Sequence, residues 1–85
     1  MMTFEQYAKK YLFENGMFEE QAAQVVEMAK KDEANESMKN RWGDDVEGYP
    51  PVMLSILRVS LNDTAVRWID ENQPKAWYRP MFANN

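Results

Sequence analysis

The sequence predicts an all-α fold, a small bundle of three to four helices with an extended aromatic C-terminal tail packed on it. Two observations lead to this prediction. Apolar residues recur at helical spacing along most of the chain, and no run of four or more residues alternates cleanly as a half-buried strand would. The 85 residues suffice for a single helical domain spanning 1–85. Apolar residues at 45% and aromatic residues at 13% favour a folded core over disorder.

The first helix is predicted to start after Thr3, because Thr3 and Gln6 have the spacing of a capping box. Its apolar stripe consists of Phe4, Tyr7, Ala8, Tyr11 and Leu12. Asn15 and Gly16 end it, since glycine readily adopts the left-handed conformation found just past helix ends. So short a joint predicts an antiparallel hairpin with the next helix.

A second helix is predicted after Met17, with its acidic residues in the first turn and its lysines in the last, as the helix dipole favours. Its apolar stripe is Phe18, Ala22, Val25, Val26 and Ala29. Residues 36–42 predict one or two further helical turns with Asn35 as the N-cap. Residues 43–50 read as a break, and in an alternative mixed fold they supply a short strand.

Residues 51–72 predict the central helix, because Pro51 suits a first helical position and no glycine or proline follows until Pro74. One stripe contains Leu54, Leu57, Leu61, Ala65 and Trp68. A second stripe on the far side contains Val52, Ile56, Val59 and Val66. A helix that is apolar nearly all round is buried on both sides, by its own chain or by another subunit. A split at residues 62–64, with Asp63 capping a second helix, is the alternative.

Composition excludes several classes of function. Without cysteine or histidine, the chain cannot carry Ser-His or Cys-His catalysis, and we expect no enzyme activity, no cofactor and no metal site. A net charge of -4 disfavours binding to nucleic acid. The longest apolar run, residues 52–57, is far too short to cross a membrane. We therefore expect a cytoplasmic protein in a reducing compartment.

Four features are candidates for binding. Asp44, Asp45 and Glu47 have ligand chemistry suited to a divalent cation but lack EF-hand spacing, so a solvated loop is the preferred interpretation. Arg41 and Trp42 are residue types enriched at interfaces, but the preferred interpretation places Trp42 in the core with Arg41 paired to a nearby acid. The second stripe of the central helix, Val52, Ile56, Val59 and Val66, could bind a partner. The aromatic tail, with Trp77, Tyr78 and Arg79, could be a recognition segment or a clasp over the bundle.

Three stretches carry a resemblance to a class of proteins: residues 34–38, residues 41–50 with Arg41-Trp42 and Asp44-Asp45-Val46-Glu47-Gly48-Tyr49-Pro50, and Ala76-Trp77-Tyr78-Arg79-Pro80-Met81-Phe82. Across residues 15–82 the chain resembles small uncharacterised proteins encoded by tailed bacteriophages and prophages. The resemblance implies a phage accessory protein that binds or inhibits a host protein, and it assigns no functional residue.

These observations favour a non-enzymatic protein-binding module. A structural homo-oligomer that pairs through the Val52, Ile56, Val59 and Val66 stripe is the alternative. A nucleic-acid-associated regulator is a third hypothesis, which the acidic charge disfavours.

Overall fold

The computed structural model describes residues 1–72, and residues 73–85 lie outside that description. The helices are α1 (Phe4–Glu14), α2 (Glu19–Lys30), α3 (Glu33–Trp42) and α4 (Pro51–Asn72), with a short 3-10 turn at Val46–Gly48 before α4. The predicted all-helical bundle is thus confirmed for the described residues. The predicted aromatic tail, including Trp77, Tyr78 and Arg79, falls among residues 73–85.

α1 and α2 form the predicted hairpin. The capping box is present, because the Gln6 backbone N–H donates to the Thr3 hydroxyl at 3.1 Å and the Thr3 N–H donates to the Gln6 side chain at 3.0 Å. Gly16 has a φ of 104°, a backbone conformation in which a residue with a side chain would be strained. The turn brings Lys30 to within 3.5 Å of Glu5, so the two helices run antiparallel.

The start of α2 differs from the prediction at one position. Phe18 is the N-cap and is 56% exposed, whereas Met17 is 1% exposed and belongs to the core. The backbone is extended at Phe18, where the chain enters α2, and its N–H donates to the Gln21 side chain at 3.0 Å. Helical spacing does not apply before the first turn, so assigning Phe18 to the buried stripe was wrong.

α3 begins one turn earlier than predicted, and its cap is Asp32, whose carboxylate accepts from the Ala34 N–H at 2.9 Å. The prediction of Asn35 as the cap was therefore wrong. Asn35 is 1% exposed. Its amide donates to the Ala29 carbonyl at 2.9 Å and accepts from the Ser60 hydroxyl at 3.0 Å. A buried amide inside the bundle thereby joins α2, α3 and α4.

Residues 43–50 contain no strand; their pairing with the N-terminal segment is a single bridge between Thr3 and Asp45. The mixed-fold alternative is therefore wrong for the described residues. Gly43 supplies the break with a φ of 89°. Val46 and Tyr49 then turn inward and are buried, so the segment predicted as a loop contributes to the core.

Tyr49 gives the fold an expected alkaline sensitivity. Burial, and secondly the charge of Asp44, raise the pKa of Tyr49 above its ordinary value. Its hydroxyl donates to the Gly43 carbonyl at 2.7 Å. Because folding favours the neutral phenol, its contribution to stability is complete below about pH 10 and is lost as pH rises through the raised pKa.

We therefore expect the free energy of unfolding to fall more steeply above about pH 10 in the wild type than in Tyr49→Phe. At neutral pH the variant should be less stable by about 1 kcal/mol, since it lacks one hydrogen bond. Urea unfolding at a series of pH values measures both effects. Parallel pH profiles for the two proteins would contradict the assignment.

α4 is one continuous helix, as favoured, and the split at residues 62–64 does not occur. Leu57, Leu61 and Ala65 are fully buried and Trp68 is 5% exposed, which confirms most of the first stripe, with Leu54 half-buried at its edge. These five residues share one side of the helix. The core thus lies between this side of α4 and the α1–α2 hairpin.

Side-chain hydrogen bonds fix the direction of α4 relative to its neighbours. Arg58 donates to the Tyr7 hydroxyl at 3.3 Å, and Tyr11 donates to Asn62 at 2.8 Å, so α1 and α4 run parallel. The Trp68 indole donates to Gln24 at 3.2 Å, close to the middle of α2. Among residues 1–72, no helix has both the length and the apolar character needed to span a membrane.

Candidate functional site

Three aliphatic side chains of the second α4 stripe lie open to solvent. Val52 is 61% exposed, Ile56 46% and Val59 59%. Steps of four and three residues place them side by side on one face of the helix. We call these three residues the α4 face. The face lies opposite the buried Leu57 and Leu61, so the described helices do not cover it.

Val66 does not belong to the α4 face, although it was predicted with it. It is half-buried and packs against the core. Seven residues of an α-helix fall about 20° short of two full turns, so the stripe rotates slightly around α4 between Val59 and Val66. Over this interval the open side of the helix becomes polar, with Asp63, Arg67 and Asp70 exposed.

A groove of about 480 Å³ runs between the start of α3 and the α4 face. Ile56 and Val59 form its aliphatic wall. Its other lining residues include Asp32, Ala34, Asp63 and Arg67. The Arg67 guanidinium donates to the Thr64 hydroxyl at 3.4 Å. The groove therefore joins aliphatic surface to two carboxylates and one cation.

Arg41 and Trp42 lie at the end of α3. Trp42 is 39% exposed, and the Arg41 guanidinium lies 5.6 Å from the centre of the Trp42 ring, within cation–π range. The preferred interpretation of Trp42 as a core residue is therefore wrong. The pair presents an aromatic and a cation at the surface.

The acidic loop uses its carboxylates for local structure. Asp45 accepts from the backbone N–H groups of Met2 at 3.2 Å and Glu47 at 3.1 Å. Asp44 lies 3.9 Å from the Lys39 ammonium, and Glu47 lies 3.5 Å from the N-terminal amine. Within residues 1–72 no group of three potential ligands is placed to hold a metal ion.

Lys30, in the last turn of α2, is engaged within the hairpin. The Lys30 ammonium lies 3.0 Å from Glu27 and 3.5 Å from Glu5. Hydrogen bonding and attraction from Glu27 raise the pKa of Lys30, and Lys30 in turn lowers the pKa of Glu27. A lysine surrounded by carboxylates is poorly placed to attract phosphate.

Two surface features are not predicted by the sequence pattern. Phe13 is 64% exposed. The sequence signal for this exposure is that Phe13 lies outside the apolar stripe of α1. A second groove, of about 230 Å³, lies between α1, the 3-10 turn and the start of α4. Tyr7 and Tyr11 line it, with ring centres 6.4 Å apart and planes within 8°. We call it the α1–α4 groove, and only tertiary packing could show it.

The described surface therefore offers an open aliphatic face on α4, an adjoining groove with two carboxylates, and a separate groove lined by stacked tyrosines. Comparison of the chain with protein-family models, with curated proteins and with solved structures found no match.

Proposed function

We propose that this protein is a non-enzymatic module that binds another protein through the α4 face and the groove beside it. The observation that carries the proposal is the adjacent exposure of Val52, Ile56 and Val59. Removing apolar surface from water is favourable by about 25 cal/mol per Å², so this face gains free energy when a partner covers it. Arg41 and Trp42, at the end of α3, are a second proposed contact.

The size of the face restricts the kind of partner. Three partly exposed aliphatic side chains amount to roughly 300 Å², whereas each side of a standard protein–protein interface buries about 800 Å². A short amphipathic helix needs less, because it sets a few apolar anchors into a groove. The groove between α3 and α4 supplies such a setting, with Asp32 and Asp63 available to basic residues of the incoming segment.

A bacterial host protein is the proposed source of that segment. This part of the proposal is supported by the resemblance to small phage and prophage proteins, whose category often redirects or inhibits host proteins. The absence of cysteine and histidine supports a binding role rather than a catalytic one. Trp77, Tyr78 and Arg79 lie outside the described residues, and their role as anchors stays a prediction.

Val59→Asp tests the proposed surface. A carboxylate on the α4 face should reduce capture of a partner at least tenfold, because the charge must be desolvated on binding. Tagged wild-type and variant proteins are used to capture proteins from bacterial lysate, and quantitative mass spectrometry compares the recovered amounts. Circular dichroism confirms that the variant is folded.

Phe13→Asp is the matched control, since Phe13 is equally exposed and apolar but lies on α1. A partner that is lost with Val59→Asp and kept with Phe13→Asp supports the α4 face. A partner lost equally with both variants reflects nonspecific adhesion and contradicts the proposal. Recovery of nothing above background also counts against it.

Self-association through the same face is the second candidate, favoured by the same exposed side chains. The area that such a dimer would bury argues against it, because two patches of roughly 300 Å² each together remain below the roughly 1,000 Å² expected of a stable interface. Sedimentation across a range of concentrations decides it. A monomer at every concentration removes this candidate, and a dimer dissociated by Val59→Asp establishes it. Nucleic-acid binding remains the third and least favoured hypothesis.

A further inference from the structure

The α1–α2 hairpin carries a groove of about 310 Å³ between its two helices, and we call it the hairpin groove. Phe13 stands at its border and is 64% exposed, while the small side chain of Ala22 is buried within it. A cavity of about 150 Å³ holds a benzene ring in a protein interior, so this groove has room for a second phenyl ring. One surface therefore presents both a projecting ring and a space that fits such a ring.

The charges beside Phe13 are divided by sign. Lys9 and Lys10 line the groove about one helical turn before Phe13, and Glu19 lines it at the start of α2. Side chains lean toward the N-terminus of their own helix, and α1 and α2 are antiparallel, so the lysines and Glu19 lean away from one another. Among residues 1–72 none of these three side chains forms an ion pair. Phe13 thus lies between two cations and a carboxylate.

We propose that a second copy of this chain binds the hairpin groove, so that each copy of a symmetric dimer places Phe13 in the groove of the other. A two-fold axis near Phe13 brings the lysines of one copy to Glu19 of its partner, and the reverse contact forms at the same time. Both contacts are attractive. Two hairpins that pointed the same way would instead set lysine against lysine, so charge also selects the antiparallel arrangement.

The order of charges favours a second copy over a foreign partner. A foreign protein would have to present a ring with charges of opposite sign on its two sides, whereas a second copy carries them in the required order. The contact includes none of the three residues of the α4 face. This inference is therefore independent of the proposed function.

The size of the contact predicts a weak dimer. Phe13 and the methylene stems of Lys9 and Lys10 contribute roughly 400 Å² on each copy. The total lies at the low end of protein interfaces, where association is transient, so we expect a Kd of about 100 µM. High salt should weaken the dimer further, because exposed charge pairs are screened.

Sedimentation equilibrium between about 10 µM and 1 mM measures this dimer. Phe13→Asp should raise the Kd about tenfold or more, because it removes the ring and places a charge in the contact. Val59→Asp is the matched control, since it adds the same charge on the α4 face, and it should leave the Kd unchanged. A wild-type monomer over the whole range would overturn the proposal, and so would a dimer that Val59→Asp dissociates and Phe13→Asp retains.

A charge exchange tests the pairing itself. Lys9→Glu/Lys10→Glu and Glu19→Lys/Glu20→Lys should each dimerise about tenfold more weakly than the wild type, because like charges then meet across the axis. Glu20 is included because it is exposed beside Glu19. An equimolar mixture of the two variants should form a heterodimer with a Kd within about threefold of the wild-type value, since both contacts are attractive again. A general loss of stability in either variant cannot produce this rescue.

Glu33→Lys/Glu36→Lys is the control for net charge. It makes the same change of charge in the first turn of α3, outside the hairpin groove. Mixed with Lys9→Glu/Lys10→Glu, it should not restore the wild-type Kd, because one of the two contacts remains repulsive. Equal Kd values for the two mixtures, or no rescue in either, would overturn the proposal. Each copy keeps its own α4 face, so loss of the dimer and loss of a captured partner are separate results.

Discussion

Leu61→Ala should destabilise the protein by about 3 kcal/mol, enough to lower the Tm by more than 10 °C. Leu61 is fully buried in the middle of α4, where the helix packs against the α1–α2 hairpin. The substitution removes apolar surface and leaves a cavity that neighbouring helices fill only in part. A domain of 85 residues has a total stability of about 4–12 kcal/mol, so the loss is a large fraction of it.

Val59→Ala is the matched control for this prediction. The two residues lie on the same helix, but Val59 is 59% exposed and its truncation creates no cavity. We expect its free energy of unfolding to stay within about 0.5 kcal/mol of the wild type. Urea unfolding of both variants gives the comparison. Similar losses for the two would mean that the α4 face is packed and would contradict its exposure.

Asn35→Asp should be at least as damaging at neutral pH, with an expected loss of about 3–5 kcal/mol. Asn35 is buried and both donates to Ala29 and accepts from Ser60. An ionised carboxylate can still accept from Ser60 but cannot donate to the Ala29 carbonyl. It would also place a charge where burial makes the ionised form costly.

The loss in Asn35→Asp should depend on pH. Burial raises the pKa of the introduced carboxyl above its unfolded value of about 3.9, so folding favours its protonated form. The penalty is therefore small below about pH 4 and grows as pH rises through the raised pKa. Unfolding curves between about pH 3 and pH 7, each compared with wild type at the same pH, measure this growth.

Asn35→Ala serves as the control for the charge. It removes one hydrogen bond to the Ala29 carbonyl, which still accepts from the Asp32 N–H at 3.2 Å, and takes the Asn35 acceptor from the Ser60 hydroxyl. This loss should cost about 1–3 kcal/mol. Relative to wild type, this cost should not change over the same pH range, because alanine does not titrate. If the Asp and Ala variants show parallel pH profiles, the buried position of residue 35 is wrong.

Local signals in the sequence predicted most of the fold. The Thr3 and Gln6 capping box, the glycine at 16 and the proline at 51 depend on contacts within a few residues, and all three occur as expected. The errors occur where two neighbouring residues are both suited to the same structural role. Asp32 and Asn35 are both residue types that cap helices, and nothing in the neighbourhood of Asn35 reveals its hydrogen bond with the distant Ser60.

The candidate site was only partly predictable. The spacing of Val52, Ile56 and Val59 shows that they share a face, and the structure adds that this face is open. Helical periodicity also places Val66 on this face. The stripe rotates by only a small angle between Val59 and Val66, but that is enough for Val66 to pack against the core at the edge of the face. Sequence periodicity also does not show that Trp42 is exposed, because its exposure depends on how far α3 extends past the core.

The sequence by itself determined that the chain is helical, where the helices break, and that α4 carries apolar residues on two sides. These properties follow from backbone preferences and from the 3.6-residue period, both of which act over short distances. Only the tertiary structure decided which side of α4 is buried, that Asn35 connects three helices, and that Tyr7 and Tyr11 line a groove. Those features depend on pairs of residues about 25 to 50 positions apart, whose meeting is set by how the helices pack and not by local sequence.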